Sequence, residues 1–307
     1  MRKIYMTFKF SALFLLTMLM VNSTAIAQEA TDDSIVETPK DRPVRPAFES
    51  GLLFDAATTT VNPAKTLEMV IQHRFGIIEN GVHDLYGIWA PANIRLGINY
   101  SILNNLTVGV GATKFNKMED LQLKYRIIEQ TRSNSIPVTV MLYEVVGIDG
   151  SPDSKWQENY TFNNRMSYST QLVVSRRFND HLSLQIAPGF IHYNSVDSIY
   201  DHDRLSISFA GRYKFSPQGS FIVSGDFPLK LQGISEHSQT FNDSDASFIA
   251  KPNICVGFEI STSTHAFHVY LASAQGILPQ EDIMWNKNDF FKGEFLVGLN
   301  ITRLWNF

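Results

Sequence analysis

From residue 67 onward, apolar side chains recur at every second position, the period of a strand with one apolar face. Leu67, Met69, Ile71, His73 and Phe75 alternate with Glu68, Val70, Gln72 and Arg74, and Ile94, Leu96, Ile98 and Tyr100 with Arg95, Gly97 and Asn99. Leu106, Val108 and Val110 come next, then Leu121, Leu123, Tyr125 and Ile127 against Gln122, Lys124 and Arg126. Residues 166–178, 182–192 and 205–215 repeat the pattern, each over about ten residues, the length a tilted strand needs to cross a bilayer. Further strands are predicted from Phe221, over 248–260 and over 267–273. Residues 137–147 do not choose a face: Glu144 shares its parity with Val138, Val140, Leu142 and Val146, while Met141, Tyr143 and Val145 hold the other. The final stretch, 293–307, sets Phe295, Val297, Leu299, Ile301, Arg303, Trp305 and Phe307 against Leu296, Gly298, Asn300, Thr302, Leu304 and Asn306.

Connection lengths alternate with the strands. Short turns are expected at 103–105, 179–180, 216–219 and 261–264, and longer loops at 77–92, 148–163, 194–202, 229–245 and 275–292, with one short link near Asn116 breaking the series. The expected fold is therefore all-β: a single antiparallel transmembrane β-barrel of about twelve strands, with short periplasmic turns and longer outer loops. A soluble sandwich is the runner-up, but it gives no reason for loop length to follow parity.

Composition narrows the class. Charged residues make up 18% and hydrophobic residues 44% of the chain, and the net charge is -4, so nothing points to nucleic acid. Past the N-terminus no apolar run is long enough for a spanning helix. The single cysteine, Cys255, excludes an intramolecular disulfide. Arg2, Lys3 and Lys9 precede an apolar run over 10–21, and Ala25-Ile26-Ala27 has the small-residue spacing of a signal-peptidase site. The expected organisation is a signal peptide over 1–27, a periplasmic linker over 28–47, a barrel-associated segment over 48–66 and the outer-membrane barrel over 67–307. Residues 48–66 can pack inside the barrel, against its mouth, or form an ordinary first strand.

Two stretches, GLLFDAATTTVNPAKTLEMVIQHRFG and DLYGIWAPANIRLGINYSILNNLTVGVGATKFNKMEDLQLKYRI, carry a resemblance. With His73-Arg74-Phe75-Gly76, the run 106–111 and Leu123-Lys124-Tyr125, the chain resembles an uncharacterised, domain-of-unknown-function family of Bacteroidetes outer-membrane β-barrels, most strongly over 67–128. The resemblance implies an outer-membrane barrel and brings no catalytic residues. The aromatic terminus also resembles the closing strand of such barrels, which implies Phe307 and Trp305 as a signal read by the barrel-assembly machinery. Replacing Phe307 is expected to impair assembly; an unchanged yield of heat-modifiable barrel in the outer membrane would count against that role.

If the apolar face meets lipid, the other lines the lumen. Its charged members are Glu68, Arg74, Arg95, Lys124, Arg126, Arg212, Lys214, Asp226, Lys251 and Glu259. Bases outnumber acids there, and a field of this sign favours anions; alternatively these groups satisfy one another and fill the barrel. The expected function is a passive pore or binding channel for small polar or anionic solutes, with lipid and a small solute as partners. The alternative is a non-transporting scaffold binding a surface or periplasmic partner through loop aromatics such as Trp156, Tyr160 and Trp285. A membrane-embedded hydrolase ranks below both, because no G-x-S-x-G or H-E-x-x-H spacing occurs among the scattered histidines. No catalytic residue, metal or cofactor is expected; Asp201-His202-Asp203 on an extended chain would point to opposite sides.

Overall fold

A computed structural model describes residues 41–156, 160–197, 200–229 and 250–307. The expected signal peptide and most of the expected linker lie outside the described residues, as does much of the loop expected over 229–245.

Twelve antiparallel strands close into one barrel. A two-stranded hairpin, β1 (Leu52–Leu53) and β2 (Ala56–Ala57), precedes it. The barrel strands are β3 (Thr66–Ile77), β4 (Asn93–Leu103), β5 (Leu106–Thr113), β6 (Glu119–Ile128), β7 (Thr139–Ile148) and β8 (Met166–Arg177). They continue with β9 (Leu182–Tyr193), β10 (Asp203–Lys214), β11 (Gly219–Leu229), β12 (Asn253–Ser261), β13 (His265–Ala272) and β14 (Leu296–Asn306). Neighbours in sequence pair throughout, and β14 closes the ring on β3, from Asn306 opposite Thr66 to Leu299 opposite His73. Closure leaves no unpaired strand edge, which is what a sheet surrounded by hydrocarbon requires.

The alternation in the sequence becomes two faces. Leu96, Ile98, Val110, Leu121, Leu172, Leu184, Phe209, Val223, Phe258 and Val269 are exposed on the outside. Thr66, Glu68, Gln72, Arg74, Arg95, Asn99, Lys124, Gln171, Gln185, Arg212, Asn253, Glu259, His268, Asn300 and Thr302 are buried within. An outward apolar belt over a polar interior is stable only with lipid outside. Arg303 is exposed on that belt, near the end where β14 stops, with its guanidinium 4.7 Å from the Trp305 ring.

The ambiguous strand, β7, places Met141, Tyr143 and Val145 inside, all but fully buried. Glu144 therefore faces outward, where it accepts a 2.7 Å hydrogen bond from the Thr170 hydroxyl. The apolar inward face of β7 packs with Ala57, Val61 and Leu278, so an interior that is polar elsewhere is apolar here because the chain fills it.

At the end where β3 starts and β14 stops, called here the near end, the connections are short except for residues 129–138. That longer connection receives the incoming chain: Pro43 bridges Thr131, and the Val44 amide donates to the Gln130 carbonyl at 2.9 Å. Asp41 accepts hydrogen bonds from the Ser133 and Ser135 hydroxyls, which hold its carboxyl down to about 2. Part of the stretch expected as a periplasmic linker is thus strapped to the rim.

Candidate functional site

The candidate site is the filled lumen. Residues 47–61 enter it from the near end, with Phe48, Leu53, Phe54, Asp55, Thr58, Thr59 and Thr60 all buried. No period marks this segment, because it makes a tight reversal with Phe54 at φ 54°, in the left-handed region. Phe54 stacks on Tyr270 with ring centroids 4.3 Å apart, in a cluster with Phe48, Leu53, Ile222 and Cys255. Gly298 on the adjacent strand leaves room for the Tyr270 ring, which a Cβ there would overlap. The backbone of the segment is satisfied by the wall: Asn300 and Gln72 side-chain amides donate to the Phe54 carbonyl at 2.7 and 3.2 Å, and Gln185 donates to that of Ala57 at 2.8 Å.

The segment also supplies counter-charge. Asp55 pairs with Arg74, which is completely buried and also donates to the Ala274 carbonyl. Glu49 meets Lys214 at 2.7 Å and Arg212 at 3.3 Å. Burial works against ionisation of Glu49, but the Lys214 hydrogen bond and the Arg212 charge outweigh it and hold the carboxyl below its ordinary value. Lys124 donates to the Gly51 carbonyl and lies 5.6 Å from the Tyr143 ring.

Other charges are paired wall to wall. Arg95 grips Asp120 with two hydrogen bonds of 2.8 and 2.7 Å and donates to Gln72 at 3.0 Å. Gly97 gives that guanidinium its berth, since a Cβ there would lie 2.7 Å from Arg95 Nη1. Glu68 accepts from Asn99 at 2.8 Å. Glu259 is 3.0 Å from His268 Nε2 and accepts from the Ser50 hydroxyl at 3.1 Å. Because the serine bonds the carboxylate rather than the imidazole, the trio lacks a nucleophile held by its base.

The far end is filled by the connection between β13 and β14. Its helix, α1 (Pro279–Trp285), turns inward; Ile283 and Met284 pack on Ile191. Leu278 joins Met118, Met141 and Tyr143. Between α1 and the lumen segment lies a cavity of about 10 Å³ bordered by Asp55, Glu68, Gln72, Arg95, Asn99 and Lys124, room for about one water.

Of the predicted lumen residues, Glu68, Arg74, Arg95, Lys124, Arg212 and Glu259 lie in this core. Arg126 is at the near rim, where it donates to the Asn104 carbonyl at 2.8 Å and pairs with Glu129 at 3.2 Å. Lys251 precedes β12, at the far end, and pairs with Asp289 at 3.0 Å. Trp305 lies opposite Leu67 where β14 pairs with β3, and Phe307 follows the strand, its amide donating to the Lys65 carbonyl at 3.2 Å. Asp120, Asp55 and His268 were missed. Asp120 shares the parity of Gln122 and Lys124 and becomes legible once its strand is begun at Glu119; Asp55 carries no periodic signal. Of the loop aromatics, Trp285 is turned edge-on to Tyr193 and Tyr200, with centroids 5.4 and 5.0 Å away, and Trp156 stacks on Tyr160. Asp201 and Asp203 diverge to Arg204 and His192, and no metal-binding cluster occurs among the described residues.

Residues 48–305 match the family described as a membrane bound beta barrel domain (DUF5777). Solved structures of similar fold include an outer membrane channel from Pseudomonas putida F1, at 11% identity, a TM-score of 0.46 and coverage of 80% of this chain and 97% of that one. The KdgM porin has 7% identity, a TM-score of 0.44 and coverage of 78% and 98%. LpxR from Salmonella typhimurium has 12% identity, a TM-score of 0.38 and coverage of 77% and 99%. No curated protein sequence matches the chain.

Proposed function

We propose that this chain, which belongs to the DUF5777 family of membrane-bound β-barrel domains and resides in the outer membrane, is a channel for small polar solutes, anions preferred, held shut by its own segment 47–61. The observation that carries this reading is the division of counter-charge. Arg74, Arg212 and Lys214 belong to the wall, whereas Asp55 and Glu49, which neutralise them, belong to the segment. When the segment leaves, three cations face the lumen with those partners gone, and their field draws in anions. Arg95 adds no free charge, because Asp120 stays with it on the wall.

The near end corresponds to the periplasm, where such barrels have their short turns, so the segment closes the channel from the periplasmic side and α1 from outside. The experiment replaces residues 48–60, together with residues 279–285 of the outer stopper, with glycine-serine stretches of equal length and records conductance in planar bilayers. The native protein is expected to be closed for most of the record. The replaced protein is expected to conduct steadily, with a reversal potential in a KCl gradient that reports chloride preference. Silence in both proteins, or cation preference in the replaced one, would sink the channel reading. The filled lumen also suits a barrel that transports nothing and offers its loops to a partner; silence in both would select that reading.

A further inference from the structure

The outer mouth is stoppered by a helix that brings carboxyl groups into a place where, among the described residues, no unpaired cation receives them. Within α1, Gln280, Glu281 and Asp282 are buried along with Ile283 and Met284. Asp282 is only 1% exposed, and neither of its side-chain oxygens has a hydrogen-bond donor. Glu281 accepts only the amides of Ile277 and Leu278, at 3.3 and 3.4 Å, which belong to its own turn.

Among the described residues, the elements around α1 do not supply the missing charge. β11 presents Asp226, another acid, already bonded by Ser208 at 2.6 Å and Asn253 at 3.2 Å. β10 presents Arg204, which pairs with Asp201 at 3.5 Å. β8 and β9 present Ser167, Ser169, Gln171, Gln185 and Tyr193, none of them charged at neutral pH. From β3, Arg74 is taken by Asp55 of the lumen segment, and from β4, Arg95 by Asp120 of β6. A buried carboxylate without a donor is costly, and a protonated carboxyl much less so.

We propose that α1 is a proton-operated latch on the outer mouth: it lies in the barrel while the Glu281 and Asp282 carboxyls hold protons, and it swings out when they ionise. The consequence for transport rests on the channel reading; the latch itself does not. Burial pushes the Glu281 carboxyl up to about 7, the backbone amides and Arg74 only partly offsetting it. Burial likewise raises Asp282 well above the ordinary aspartate range, reinforced by Asp226 and Glu281 and opposed by Arg74. Both shifts are upward, so the docked helix holds protons that the released one gives up. Docking is complete below the ordinary glutamate value of 4.5 and is lost as pH rises through about 7. Over that window Glu281 alone weakens docking by up to about tenfold per pH unit.

The test reads the helix rather than the current. Trp285 ends α1, so acrylamide quenching of its fluorescence, in protein carrying Trp89→Phe, Trp156→Phe and Trp305→Phe and reconstituted in liposomes, reports release. Quenching is expected to rise several-fold between pH 5 and pH 8. The Glu281→Gln, Asp282→Asn variant is expected to stay weakly quenched at both. Quenching of the parent protein that does not change with pH overturns the latch, whether or not the variant folds, and so does a variant that follows the parent's curve. Conductance recorded on the same proteins with residues 48–60 also replaced by a glycine-serine stretch separates the two readings: a quenching transition without current keeps the latch and removes the channel.

Discussion

Replacing Asp55 with alanine is expected to loosen the lumen segment by about 3–5 kcal/mol, the usual cost of leaving one partner of a buried ion pair alone. Arg74 is completely buried, and the hydrogen bonds left to it go to the Ala274 carbonyl and the Tyr270 hydroxyl at 3.5 Å, neither of which carries charge, while Asp282 and Glu281 act on it only through their charge, without a hydrogen bond. The change should register twice: as conductance when it is made in a barrel whose residues 279–285 are replaced by glycine and serine, and as protease sensitivity within residues 47–61. Adding Arg74→Met should restore closure, because the charge that demanded a partner is gone. A single Asp55→Ala variant that remains shut and protease-resistant would show that the pair does not hold the segment.

Replacing Arg95 with methionine should cost a similar amount, about 3–5 kcal/mol, with a different outcome. Its partner Asp120 sits on the wall, almost fully buried, and loses both bonds at once. Urea unfolding in micelles should shift to lower denaturant, while the bilayer record stays closed, because no contact between segment and wall has been cut. The two ion pairs are chemically alike, and what separates them is which piece of chain carries the acid. Steady conductance from Arg95→Met, or an unfolding midpoint that does not move, would contradict this division.

The barrel itself was legible because lipid and lumen impose opposite demands at every second residue. From β8 to β10 and along β14 the alternation alone gives strand and face, with bounds to within three residues. It failed at β7, where Met141, Tyr143 and Val145 face a plug rather than water and Glu144 faces out. It could not reach the plug either. Residues 47–61 are held by long-range bonds to Gln72, Gln185 and Asn300, and no local pattern encodes such partners. The basic lumen face was read incompletely as a field, since Asp55 and Glu49 enter from outside the periodic part of the chain. For the same reason α1 reads as an outer loop; only the fold turns Asp282 inward.

The lumen segment is joined to the barrel by residues 62–65, with the Lys65 amide tied to the Ser101 carbonyl at 2.7 Å. A ligand on so short a tether is present at an effective concentration on the order of millimolar or more. Short loops close within roughly 10–100 ns, so a segment that has slipped out will find the lumen again almost at once. Openings that last must therefore be paired with something that occupies the released segment, and the dwell time of the open channel becomes a measure of that capture rather than of the plug's own affinity.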